Sequence, residues 1–194
     1  MNTPPMYFGD TTRLGRPFAK DPSVVRFGGR YLLYYSLPPG ETAPAWAIGI
    51  AESHDLIHWS QVGEMLPEPG QPDENGLCAP GARVINAQVH LFYQSYGNWR
   101  EDALCHAVSD DGLRFTRDST NPIFRPSGDW NAGRAIDAEV FPHEGRLLLY
   151  YATRDSEMKV QMLGVAAAPL TSDFGRGAWV NLSTDGPMLA PTLP

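Results

Sequence analysis

Three stretches of this chain run apolar for a few residues, break at a turn, and run apolar again. They are Asp21–Ser36 (DPSVVRFGGRYLLYYS), Ala79–Gln94 (APGARVINAQVHLFYQ) and Asp137–Ala152 (DAEVFPHEGRLLLYYA). The breaks fall at Gly28–Gly29, Asn86–Ala87 and Glu144–Gly145, and each second run holds an aromatic pair: Tyr34–Tyr35, Phe92–Tyr93 and Tyr150–Tyr151. Short runs rich in Val, Ile, Leu, Tyr and Phe, bounded by Gly, Pro, Asn or Asp, predict strands joined by hairpins. The spacing is regular: Asp21 to Ala79 and Ala79 to Asp137 are each 58 residues, and Tyr35 to Tyr151 is 116. A third run at about 46–52, 103–109 and 160–167 and a short fourth at about 58–63, 114–118 and 178–182 complete each unit. Ser53 and Asp55 align with Ser109 and Asp111, and Trp59 with Phe115. No segment shows an amphipathic helical period. Four strands per repeat of this length predict β-propeller blades. The expected fold is all-β: a single domain over residues 1–194, with blade units at approximately 18–75, 76–134 and 135–183.

A propeller closes with about four to eight blades. Three four-stranded antiparallel sheets are therefore incomplete relative to a ring, with bare strand edges and an uncovered apolar blade face. Two expectations follow. Either the chain is a truncation of a longer propeller, or copies associate through the exposed blade edges as a homodimer or higher homo-oligomer. The second is favoured for a chain stable on its own.

Composition narrows the chemistry. With 194 residues, 42% of them apolar, there is enough chain for a core, and the 19 glycines and 18 prolines suit many short elements. The net charge of −7 argues against nucleic acid or an anionic membrane surface as partner. No apolar run is long enough to span a bilayer, and the first twenty residues lack the apolar core of a secretory leader, so a cytoplasmic location is expected. Cys78 and Cys105 form no CxxC pair; they are either two reduced thiols or one disulfide. Of the five histidines only His54 and His58 are spaced HxxxH, inside the turn AESHDLIHW rather than on a predicted helix, and no metal site is expected from them. P-loop, GxGxxG and GxSxG motifs are absent as well.

The repeat also places candidate chemistry. Asp21, Ala79 and Asp137 occupy the same position in their units, at the start of the innermost predicted strand. Inner strands line a propeller's channel, so two carboxylates and one small residue would ring one mouth. The alternative is that each aspartate only caps a turn. Glu139, two residues beyond Asp137, would share its face on a regular strand. It is either a proton donor, a substrate hydrogen bonder, or a structural carboxylate paired with Arg134 or Arg83. Trp46, Trp99 and Trp130 fall near the expected mouth, and Trp130 with Arg134 is the preferred substrate wall. Trp59, Trp179 and the three aromatic pairs read as core. Asp73, Glu74 and Asp155 read as solvated loop charges.

Lys20-Asp21-Pro22-Ser23-Val24 followed by GGRYLLYYS, Cys78-Ala79-Pro80, AIDAEVF at 135–141, and the turns AESHDLIHW and VSDDGLRF carry a resemblance. Over about residues 18–183 the chain resembles the five-bladed β-propeller glycosidases, chiefly glycoside hydrolase family 43 and its neighbours, families 32, 62 and 117. The resemblance implies that Asp21 is the catalytic base. It implies that Asp137 tunes the pKa of the general acid and orients an oligo- or polysaccharide substrate. The implied reaction removes terminal α-L-arabinofuranosyl or β-D-xylosyl residues with inversion, using carboxyl groups about 6.5–9.5 Å apart. It implies no cofactor; a channel calcium is compatible, with His106 a candidate to face it. One departure stands out: the family's acid lies in a Glu-Gly-Pro motif, and none occurs here. The acid would then come from Glu139, from a partner chain, or from a fourth blade. The same gap supports an alternative, a carbohydrate-binding propeller module without turnover; a propeller serving assembly alone is the third reading.

Overall fold

The computed structural model describes residues 8–41 and 43–191. The stretch read for a leader includes residues 1–7, which lie outside the described residues. The chain forms three four-stranded antiparallel sheets in strict sequence order. Blade one is β1 (Lys20–Phe27), β2 (Arg30–Leu37), β3 (Ala47–Ser53) and β4 (Ser60–Met65). Blade two is β5 (Leu77–Ile85), β6 (Gln88–Ser95), β7 (Leu104–Ser109) and β8 (Thr116–Arg117). Blade three is β9 (Ile136–His143), β10 (Arg146–Arg154), β11 (Gln161–Pro169) and β12 (Val180–Asn181). Among the described residues the helical segments are two 3-10 turns, Trp99–Glu101 and Arg176–Ala178. The propeller-blade expectation holds.

Period-2 alternation assembles the blades. Neighbouring residues of an aromatic pair face opposite sides of a sheet. Tyr34 packs toward blade two with Leu32, Ile48 and Ile50, against Leu91, Tyr93 and Cys105. Tyr35 faces the other way, onto Leu33, Leu37 and Phe8. Phe92 and Tyr151 build the core between blades two and three, with Leu104, Val140, Leu149 and Phe174. Tyr150 departs from the core expectation. It is half-buried, because the face of blade three that it shares with exposed Phe141 has no described element over it. Both cysteines are buried free thiols, which removes the disulfide alternative.

The third turn of each of the first two blades is a serine–aspartate clasp. Ser53 Oγ accepts from the Asp55 and Leu56 amides, while Asp55 Oδ1 accepts from Ile57 and His58. Ser109 and Asp111 repeat that pattern on Asp111, Gly112, Leu113 and Arg114. The aligned dipeptides are therefore turn chemistry. Asp73, read as a solvated charge, is buried: it accepts from Tyr93 Oη (2.9 Å) and Arg117 Nε (2.8 Å). An acidic residue in a loop cannot be told from a buried one until its partners, 20 and 44 residues away, are brought to it.

A buried polar chain lies on blade two, on the face that packs against Phe174 of blade three. His90 Nδ1 lies 3.0 Å from His106 Nε2, and His106 Nδ1 lies 3.3 Å from Asp118 Oδ2. The two imidazoles stack, with Phe92 and Phe174 around His106. His106 thus sits on the third strand of blade two, away from the channel. The idea that it faces a channel calcium fails, because only inner strands reach the channel. Burial disfavours the charged form of both rings: His90 is lowered to about 4, and His106 is lowered despite Asp118 and Asp173 nearby. The unfolded chain takes up these protons near pH 6.5, whereas the folded chain resists them. Stability is therefore complete above that pH, is lost progressively as pH falls from about 6.5, and the loss is complete near pH 4. Urea unfolding at pH 7, 5.5 and 4 should show the decline, and His90→Phe should flatten it.

Candidate active site

One backbone device places the predicted aspartates. The pairing of β1 with β2 skips from Lys20–Ser36 to Ser23–Tyr34. The pairing of β5 with β6 skips from Cys78–Gln94 to Gly81–Phe92, and that of β9 with β10 from Ile136–Ala152 to Glu139–Tyr150. Each inner strand carries one extra residue at the same repeat position, a β-bulge. At its first residue the backbone is left-handed: φ is 54° at Asp21, 49° at Ala79 and 54° at Asp137. Asp tolerates this region better than most residues. Pro22 and Pro80 fit the next position because a bulged residue needs no ladder N–H. The bulges turn these side chains out of the ladder at the strand starts, and alanine at the middle position leaves room between the two acids. Gly81 lets the blades close up there, since a Cβ at this position would collide with the Ala138 carbonyl oxygen.

Buried polar side chains on second strands fix this register across blades. Ser36 is fully buried; its Oγ donates to Asp21 Oδ2 (2.7 Å) and accepts from the Ala79 amide (2.8 Å). Gln94, also buried, accepts from the Asp137 amide with Oε1 (3.1 Å). Lys20 pairs with Asp21 Oδ2 at 3.2 Å and stands 4.9 Å from the centre of the Trp46 ring. Trp46 adjoins Tyr96 and Phe18, with ring centres 5.7 and 6.2 Å away. The result is an aromatic wall beside Asp21.

Asp137 is open to water yet crowded by neighbouring blades. Desolvation first, then the charge of Asp21, pushes its pKa up, against smaller opposing effects of Lys20 and Arg134. Beneath the pair, burial pushes the Cys78 thiol up to about 12, so it is no nucleophile. Asp21 is thus among the charges that act on Asp137, and the two residues hold the same left-handed bulge position in blades one and three.

The other expected residues divide. Trp46 stands beside Lys20 and Asp21. Trp99 is exposed on the loop after β6, its carbonyl accepting from Arg134 Nε (3.0 Å). Arg134 is not a surface wall: it is buried against Asp102, with Nη2 2.8 Å from Oδ2. Trp130 donates its indole N–H to the Ser183 carbonyl (2.9 Å), which ties it to the outer edge of blade three. Glu139 is 68% exposed at the side chain and 3.9 Å from Arg83, the partner one reading gave it. The extra residue at Asp137 breaks the alternation from which a shared face was read. Sequence reasoning passed over Ser36, Gln94, Lys20 and Tyr96. Two of them had a signal: Ser36 and Gln94 are the polar residues 15 positions after Asp21 and Ala79, closing apolar runs.

A family model described as the N-terminal domain of glycosyl hydrolases family 32 matches residues 17–165. A sucrose-6-phosphate hydrolase of Bacillus subtilis (strain 168) is 28% identical over 160 residues, covering 78% of this chain and 32% of that protein. The chain therefore spans about a third of the length of this curated relative. A solved Bombyx mori GH32 beta-fructofuranosidase superposes with a TM-score of 0.69 at 20% identity, over 86% of this chain and 35% of its own. A thermostable family-43 glycoside hydrolase gives a TM-score of 0.65 at 17% identity, over 96% of this chain and 57% of its own. The emphasis on family 43 thus has support in fold alone, while the matching model is that of family 32.

Proposed function

Because the chain belongs to the family of glycosyl hydrolase family 32 N-terminal domains, we propose that its mouth binds a terminal fructofuranosyl unit and that Asp21 acts at the anomeric carbon of that sugar. What supports this reading is that Asp21 and Asp137 share one left-handed bulge position, that the charge of Asp21 acts on Asp137, and that Trp46 and Tyr96 stand near Asp21. Asp21 Oδ2 is occupied by Ser36 and Lys20, so Oδ1 is the oxygen that meets the sugar. Asp137, whose surroundings favour a bound proton, holds ring hydroxyls. Trp46 and Tyr96 supply the apolar contact that sugar faces need. The names of the relatives favour fructofuranosides over the arabinofuranosides and xylosides that the family 43 resemblance implied.

A second reading, sugar binding without turnover, has its own observation. Glu139 is exposed and beside Arg83, and the Glu-Gly-Pro motif that carries the acid in the resembled family does not occur in the chain. The two readings separate on leaving groups. Sucrose needs its departing oxygen protonated, whereas a fructofuranosyl fluoride does not. We expect the full chain to hydrolyse the fluoride. Cleavage of sucrose and sucrose 6-phosphate as well would show that an acid is present. The configuration at C2 of the first product formed, followed by carbon NMR, separates direct attack by water from attack by Asp21. Binding of fructosides with no release of fluoride would establish the second reading. Faster cleavage of aryl arabinofuranosides or xylosides would overturn the fructoside assignment.

A further inference from the structure

We propose that Ser36 and Gln94 are positioning residues that set the two mouth carboxylates from the neighbouring strand, Ser36 by fixing the Asp21 carboxylate and Gln94 by fixing the Asp137 backbone; this rests on the reading of Asp21 and Asp137 as the reacting pair. Ser36 has one hydroxyl proton. Its oxygen already accepts from the Ala79 amide, so the proton is directed to Asp21 Oδ2 at 2.7 Å. Fully buried, the hydroxyl has no water to turn to. It therefore ties the Asp21 side chain to the first residue of the next inner strand. That linkage leaves Oδ1 free to face the sugar. Gln94 performs the matching task one blade on, where its Oε1 takes the amide of left-handed Asp137. Ser36 pairs with Lys20, the last ladder position before the Asp21 bulge, and Gln94 pairs with Cys78, the last before the Ala79 bulge, from where it reaches across to the Asp137 bulge of the next blade. A bulge leaves its extra residue unpaired in the ladder, so a polar contact made to it holds the aim of the turned-out side chain.

The test uses the full chain carrying Ser36→Ala, Ser36→Thr or Gln94→Met. On fructofuranosyl fluoride, Ser36→Ala should lower kcat by about 10- to 100-fold with little change in KM, since misplacing a reacting group by about 1 Å costs that order of rate. Ser36→Thr, which keeps the hydroxyl, should restore most of it. Three-bond couplings at Asp21 should show one rotamer in the parent and averaging in Ser36→Ala. In Gln94→Met the Asp137 amide should lose its protection from hydrogen exchange. If Ser36→Ala does not fold, Ser36→Cys, a weak donor of similar size, gives the same two readings. Parent-like kcat and a single Asp21 rotamer in the alanine variant would overturn the proposal. If the parent chain shows no turnover, the proposed function fails, and the Asp21 rotamer and Asp137 exchange alone decide the positioning roles.

Discussion

Asp21→Asn lowers fluoride release from a fructofuranosyl donor by about 10³-fold or more while leaving the fold intact, because it removes the acting oxygen's charge and little else. Asparagine is the substitution that isolates chemistry at this position. It accepts φ near 54° as readily as aspartate does. It has the same volume, and its amide oxygen can still take the Ser36 proton. Alanine would mix loss of the carboxylate with strain at the bulge. The check is initial rate at saturating donor, together with thermal unfolding. The midpoint should stay within about 2–4 °C of the parent, the span of roughly 1 kcal/mol in a chain this size. A variant retaining a tenth or more of parent activity would remove Asp21 from the reaction.

The second large effect is on stability. Asp102→Ala leaves the Arg134 guanidinium, whose side chain is only 10% exposed, without its counter-charge. Breaking a buried pair from one side costs about 3–5 kcal/mol. The same change frees the Asn98 amide, which donates to Asp102 Oδ1 at 2.9 Å, so the exposed Trp99 loop loses its anchor. The thermal midpoint should fall by roughly 6 °C or more. The double change Asp102→Leu with Arg134→Met should recover most of that loss, since an apolar pair of similar volume removes both buried charges. An Asp102→Ala midpoint equal to the parent's would mean that the pair is solvated and the loop is held by other contacts.

The fold was legible because one period governs the chain. The 58-residue spacing, the three turns and the aromatic pairs place all twelve strands to within a few residues. The same period marked Asp21, Ala79 and Asp137 as equivalent, and the structure gives them one backbone conformation. The bulge itself was not legible. It changes the count of residues on one strand by one, and no side chain announces that. The face that Glu139 was expected to share with Asp137 was lost for this reason, while its pairing with Arg83 was among the readings. Arg134 and Trp130 were misplaced for another: both were judged by their distance along the chain from Asp137. Their partners, Asp102 and Ser183, lie 32 and 53 residues away and come near only after the blades assemble. Tyr150 teaches the complementary point. A repeat position predicts which face a side chain takes, but burial also needs a neighbouring sheet on that face, and blade three has none among the described residues.

The measurement closest to the central claim, that two bulges aim two carboxylates into one mouth, is the titration of Asp137 followed by its carboxyl carbon in NMR. Burial and the charge of Asp21 both raise its pKa. In the parent chain Asp137 should titrate above the usual carboxylate range, and in Asp21→Asn, with the neighbouring charge gone, its midpoint should move down toward that range. An Asp137 titration unchanged by Asp21→Asn would show that the two side chains do not share a site.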